Sequence, residues 1–177
     1  MKRTLIAAAI GLTALSAGCT GTAGTPQPGP SGGETPTNTS GAASGLASVK
    51  SCDLLSEAEV KGFGLEYPGE AKKLGAADNC RWKVSGDGGV SVSVRPDAGV
   101  KDLNTKGDKD VETKIGKFDA IRSEGFEGAK STCAIWISVT DSSTVSVIGT
   151  VDLAREDTAA ACERAEKAAE KVAAKLP

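Results

Sequence analysis

Thr132-Cys133-Ala134-Ile135-Trp136-Ile137-Ser138-Val139-Thr140, then Asp141-Ser142-Ser143, then Thr144-Val145-Ser146-Val147-Ile148-Gly149-Thr150-Val151 is the stretch from which the fold can be read. Cys133, Ile135, Ile137 and Val139 recur with period two, and so do Val145 and Val147, with Val151 in phase. Alternation of this kind predicts two antiparallel strands that turn one apolar face toward a core. Trp136 falls on the opposite face, between two isoleucines that claim the core. A tryptophan exposed on a sheet is a candidate recognition anchor; the alternative, favoured because most large aromatics are largely buried, is that it lies under a loop or the first helix.

Upstream the same pattern repeats. Cys80-Arg81-Trp82-Lys83-Val84 and Val90-Ser91-Val92-Ser93-Val94-Arg95 both alternate, and Gly86-Asp87-Gly88-Gly89 separates them. Asp-Gly between alternating runs predicts a hairpin. Phe118 to Ser123 reads as a further strand. The polar segment from Pro96 to Ile115 predicts at most a short helix around Val100 to Asn104.

Helices are expected at both ends. Ser56 and Glu59 have capping-box spacing, so a short helix should start at Glu57 and end at Gly62 or Gly64. From Thr158 to Leu176 the chain is rich in Ala, Glu and Lys, good helix formers, with Asp157 or Thr158 as cap. Cys162, Ala165, Ala169, Val172 and Leu176 form its apolar stripe. The expected fold class is α+β. It comprises an antiparallel sheet of about five strands, with a short N-terminal helix and a long C-terminal helix packed on one face, and two disulfides. This domain should occupy residues 49–177, and all six aromatic residues lie within it.

Five cysteines occur: Cys19, Cys52, Cys80, Cys133 and Cys162. The last four are an even set, which in an exported chain reads as two bridges. A zinc site is disfavoured, because no two of these cysteines are close in sequence and the chain has no histidine. Of the three pairings, the layout favours Cys52-Cys80 and Cys133-Cys162. Cys133 lies on the apolar face of its strand and Cys162 on the apolar stripe of the last helix. Each bridge would close a loop of about 30 residues and contribute roughly 3–4 kcal/mol in the chain-entropy model.

The N-terminus has a different character. Lys2 and Arg3 precede an uncharged run from Leu5 to Leu15, and Leu15-Ser16-Ala17-Gly18 leads into Cys19. This is the pattern of a secretory signal. The run is well short of the roughly 20 apolar residues of a membrane-spanning helix. It resembles a bacterial lipoprotein signal with its lipobox, with Ser16 where leucine is usual. That resemblance implies removal of residues 1–18 and lipidation of Cys19 with two or three acyl chains, enough for firm anchoring. Residues 19–48 then form a tether of Gly, Ser, Thr, Pro and Ala in which Glu34 is the one charge. Such composition cannot offset ordering entropy, and as a flexible coil it would span roughly 30 Å.

Ser51-Cys52-Asp53-Leu54-Leu55-Ser56-Glu57-Ala58-Glu59-Val60, Cys80-Arg81-Trp82, Cys133 in an apolar strand, and Cys162 opening a helix that runs to Leu176-Pro177 occur in a characteristic order. In these the chain resembles the domain-of-unknown-function 3558 family of actinobacterial lipoproteins. The resemblance implies an exported, lipid-anchored α+β domain on the outer face of the cell membrane. It implies no activity.

Composition narrows the functional classes. The chain carries 21 Lys+Arg and 23 Asp+Glu, and loss of Lys2 and Arg3 leaves 19 against 23. An acidic balance with no basic block argues against nucleic-acid binding. Without histidine there is no Ser-His-Asp or Cys-His arrangement, and no phosphate-binding or dinucleotide motif occurs. No cofactor is expected. Asp108, Asp110 and Glu112 alternate like the opening of a calcium loop, but the turn glycine and remaining spacing are missing. The expectation is a non-catalytic binding or regulatory module that is held to the membrane through Cys19 and meets an envelope protein. The alternative is a carrier holding a lipid or other apolar molecule between sheet and helix, and Trp136 is the candidate recognition residue.

Overall fold

Seven strands form one antiparallel sheet in the computed structural model, which describes residues 45–177. They are β1 (Glu70–Leu74), β2 (Ala77–Lys83), β3 (Gly89–Arg95), β4 (Lys109–Ile115), β5 (Phe118–Glu124), β6 (Thr132–Thr140) and β7 (Ser143–Thr150). Across the sheet they lie in the order β1-β2-β3-β7-β6-β5-β4. The expectation of about five strands is therefore corrected to seven. The two additional strands, β1 and β4, are the edges. Every residue of β1 is exposed, and β4 alternates charged with half-buried residues. Charge on an edge strand discourages pairing with other chains, and it erases the apolar alternation by which inner strands are recognised.

The α1 helix (Glu57–Gly62) opens with the capping box of Ser56 and Glu59, and its Val60 enters the main core. The α2 helix (Thr158–Ala173) begins where the Asp157 carboxylate accepts from the Ala160 amide. It ends three residues before Leu176, which is still buried. α2 lies over β6 and β7 on the face that carries Val92, Val147, Ile135 and Ile137. Its buried stripe is almost entirely alanine because the helix comes very near the sheet. A Cβ on Gly149 would lie 2.7 Å from the Ala165 backbone nitrogen and nearer still to the Ala161 carbonyl oxygen. Cys133 stands directly opposite Gly149 across the β6–β7 ladder and is bonded to Cys162, with Cα atoms 4.8 Å apart. The second bridge, Cys52–Cys80, fastens the single-turn helix Ser51–Leu54 to β2.

Gly45–Ser48, expected to be tether, is a helical turn whose Leu46 is 1% exposed. The core thus takes in chain ahead of Val49. Cys19, the signal segment 1–18 and the tether up to residue 44 lie outside the described residues. Among the described residues no helix is long and apolar enough to cross a membrane.

Candidate functional site

Among the described residues, no long helix lies on the face of the sheet opposite α2. A single row of residues crosses it from β2 to β4: Asn79, Ser93, Ser146, Trp136, Ile121 and Glu112, each opposite the next. The row begins polar, becomes apolar at Trp136 and ends on a carboxylate. At the polar end the Asn79 amide donates to the Ser91 and Ser93 hydroxyls at 2.8 and 2.7 Å. That satisfies side chains which would otherwise be stranded beside an apolar island.

The island forms around Trp136. The residue faces away from α2, as alternation requires, and of its two readings it is the covered ring rather than the open recognition residue. It is 7% exposed. Phe126 meets it edge to face with ring centroids 5.3 Å apart, and Val100, Leu103, Ile121 and Ile148 pack around the pair. The cover comes from the β3–β4 connection, in which only Val100–Asp102 forms a helical turn. This segment is strapped down at both ends. The Thr144 hydroxyl donates to the Ala98 carbonyl at 2.9 Å, and the Ser123 hydroxyl donates to the Thr105 carbonyl. Gly99 sits so near the Asp141 carbonyl that a Cβ would clash with that backbone. A large ring on a two-layer sheet draws such a cover because burying it is worth several kcal/mol.

Between strap and sheet lies a groove of about 690 Å³. Val100, Leu103, Ile121 and Trp136 contribute its apolar lining, and Lys101, Glu112, Asp119 and Asp141 its charged and exposed one. Asp119 pairs with Lys114 at 2.6 Å, whereas Glu112 and Asp141 have no cationic partner among the described residues. The volume is in the usual range of ligand sites, and mixed apolar and charged linings suit recognition. Trp136 was thus legible as an outer-face residue. The groove's carboxylates were not, because Glu112 is on an unforeseen edge strand and Asp141 reads as a turn residue.

The perturbed ionisable groups lie elsewhere and act as structural ties. A hydrogen bond from Lys175, 2.5 Å away, is the main cause that lowers the Glu59 carboxyl to about 2, joining α1 to the C-terminus. The Ser51 hydroxyl and amide bind Asp78 and lower it likewise to about 2. Asp87 is lowered by the Asp152 amide first and by Arg164 next. Arg164 itself also donates to the Asp87 and Thr150 carbonyls, pinning the β2–β3 turn to α2. Such groups mark a catalytic centre when they converge in a cleft. These three are in separate contacts, and Lys61, Asp97 and Glu163, also shifted, are each tied to one surface neighbour, Glu57, Arg95 and Lys167. A second hollow of about 470 Å³ lies beside α2, but its one lining cation, Arg122, is already held by Glu124 and Glu166. Among the described residues no three Cys, Asp or Glu side chains are grouped to hold a metal ion. Asp110 instead accepts from the Gly107 amide at 3.1 Å.

Fold and groove together define a disulfide-braced α+β domain with a helix fastened to one sheet face and a strapped groove on the other. The chain belongs to the family described as "Protein of unknown function (DUF3558)", whose model matches residues 14–175. No curated protein and no solved structure gives a significant match.

Proposed function

We propose that the chain is an exported, non-catalytic binding or regulatory module, lipid-anchored through Cys19 to the outer face of a bacterial cell membrane, and that it meets an envelope protein partner through the groove beside Trp136. The groove carries this reading. It joins an apolar lining of Leu103, Ile121 and the edge of the Trp136 cluster to exposed charge on the sheet face opposite α2, and mixed linings of this kind suit recognition. The lipobox-like segment before Cys19 supports export and anchoring, and the tether composition supports a domain free to reach a neighbour.

The carrier reading receives less support. Its cargo would lie between sheet and helix, where the close approach at Gly149 and the Cys133–Cys162 bridge leave the two layers in contact.

Hydrogen–deuterium exchange of the full chain, alone and mixed with envelope membranes of an actinobacterial host, tests the proposal. Protection confined to residues 98–107, 119–123 and 134–138 is the expected result. Protection over α2, or none anywhere, refutes it. Native mass spectrometry of the same preparation addresses the carrier: a stoichiometric apolar molecule released on activation would favour that reading.

A further inference from the structure

We infer that the partner reaches this groove with a cationic segment, in which an apolar side chain is flanked by lysine or arginine. The inference rests on reading the groove as the binding site, and adds the chemistry of what fills it. Three carboxylates, Glu112, Asp119 and Asp141, line the groove against one ammonium, Lys101. Among the described residues only Asp119 of the three has its charge answered, by Lys114.

Charge with no internal partner on a concave surface focuses a field outward and raises the local concentration of the opposite charge. The apolar lining beside it, Leu103, Ile121 and the edge of the Trp136 cluster, excludes a partner that is only charged. An acidic partner would meet like charge at Glu112 and Asp141, which costs specificity and slows encounter. A wholly apolar one would leave both carboxylates partly desolvated without a counter-charge. The pattern that satisfies all of these groups is an apolar anchor between cations.

Labelling the full chain with 5-fluorotryptophan gives a direct reading, because the sequence contains two tryptophans. Trp136 is at the groove, and Trp82 is 1% exposed in the main core and reports on folding. The probes are three capped peptides: two adjacent leucines flanked on each side by two lysines, and counterparts with glutamate or glutamine replacing every lysine.

The lysine peptide should move the Trp136 fluorine signal saturably and leave Trp82 in place. The glutamate peptide should bind at least about 10-fold more weakly, and added salt should narrow that difference. Joint Glu112→Gln and Asp141→Asn substitution should weaken the lysine peptide about 5- to 10-fold, since each exposed charge contributes a few-fold. Equal movement of Trp136 by all three peptides overturns the cationic partner while leaving the groove as the binding site. Failure of every peptide to move Trp136 also overturns it. In that case protection of 98–107 by envelope membranes decides separately whether the groove binds at all.

Discussion

Replacing Gly149 with alanine is expected to destabilise the domain by about 3 kcal/mol, against what strand propensity alone would give. Glycine within a strand is weaker than alanine by roughly 0.5–1 kcal/mol, so propensity favours the variant. Packing opposes it. The new methyl would approach the Ala161 carbonyl and the Ala165 amide of α2, and these are backbone atoms that no rotamer change can move. Overpacking a filled core typically costs 1–3 kcal/mol, and an unyielding backbone puts this case at the upper end. For a domain of this size that corresponds to a fall in Tm of roughly 10 °C. The helix cannot recede, because Cys133, beside Gly149, is bonded to Cys162. Repeating the substitution in a Cys133→Ala, Cys162→Ala background should therefore cost only about 1 kcal/mol, a coupling well above the few tenths seen for independent sites. Urea unfolding of the four oxidised chains followed by far-UV circular dichroism measures the cycle. A Gly149→Ala variant as stable as the parent, or an equal cost in both backgrounds, would refute the argument that the bridge holds the helix against the strand.

Three further outcomes follow from other contacts. Trp136→Ala should lose about 3–5 kcal/mol, and a double-mutant cycle with Phe126→Leu should show roughly 1 kcal/mol of coupling from the edge-to-face contact, measured by the same unfolding assay. Glu59 and Asp78 titrate near 2 in the folded chain against ordinary values of 4.5 and 3.8. Their contribution is full above those ordinary values and is lost as pH falls toward about 2, so stability should decline across that window, and Glu59→Gln should flatten the decline. Arg164→Leu should cost about 2 kcal/mol by stranding the Asp87 and Thr150 carbonyls, and amide exchange in residues 85–89 should quicken before that of the inner strands.

How far the chain could be read follows from where each residue sits. β3 was legible because Val90, Val92 and Val94 are buried while Ser91 and Ser93 between them are half-buried; in β6 the β-branched Ile135 and Ile137 mark the core face, although Ala134 and Trp136 on the other face are buried as well. β1 and β4 were not legible because an edge strand has little to bury: Glu-Ala-Lys-Lys-Leu matches no strand template. Trp136 was assigned to the correct face, and of its two readings, open anchor or ring under a loop, the structure has the second. Alternation tells which way a side chain points and not what covers it, and the cover is an irregular strap held by Thr144 and Ser123 to backbone carbonyls. The groove is a product of that strap, so its charged lining drew no signal from local sequence. The helix boundary at Glu57 was legible because capping is a local interaction.

We propose the groove beside Trp136 as the place where the chain meets a protein of the cell envelope. Its most direct measurement is a photo-crosslinking scan in intact cells expressing the full chain, with benzoylphenylalanine placed singly at Lys101, Asp141, Lys61 and Lys167. The first two line the groove, and the other two are exposed on α1 and α2. One protein adduct is expected, shared by Lys101 and Asp141, absent at Lys61 and Lys167, and lost when Leu103 is replaced by aspartate. Adducts of equal yield at all four positions, or a partner trapped only from α1 or α2, would contradict it.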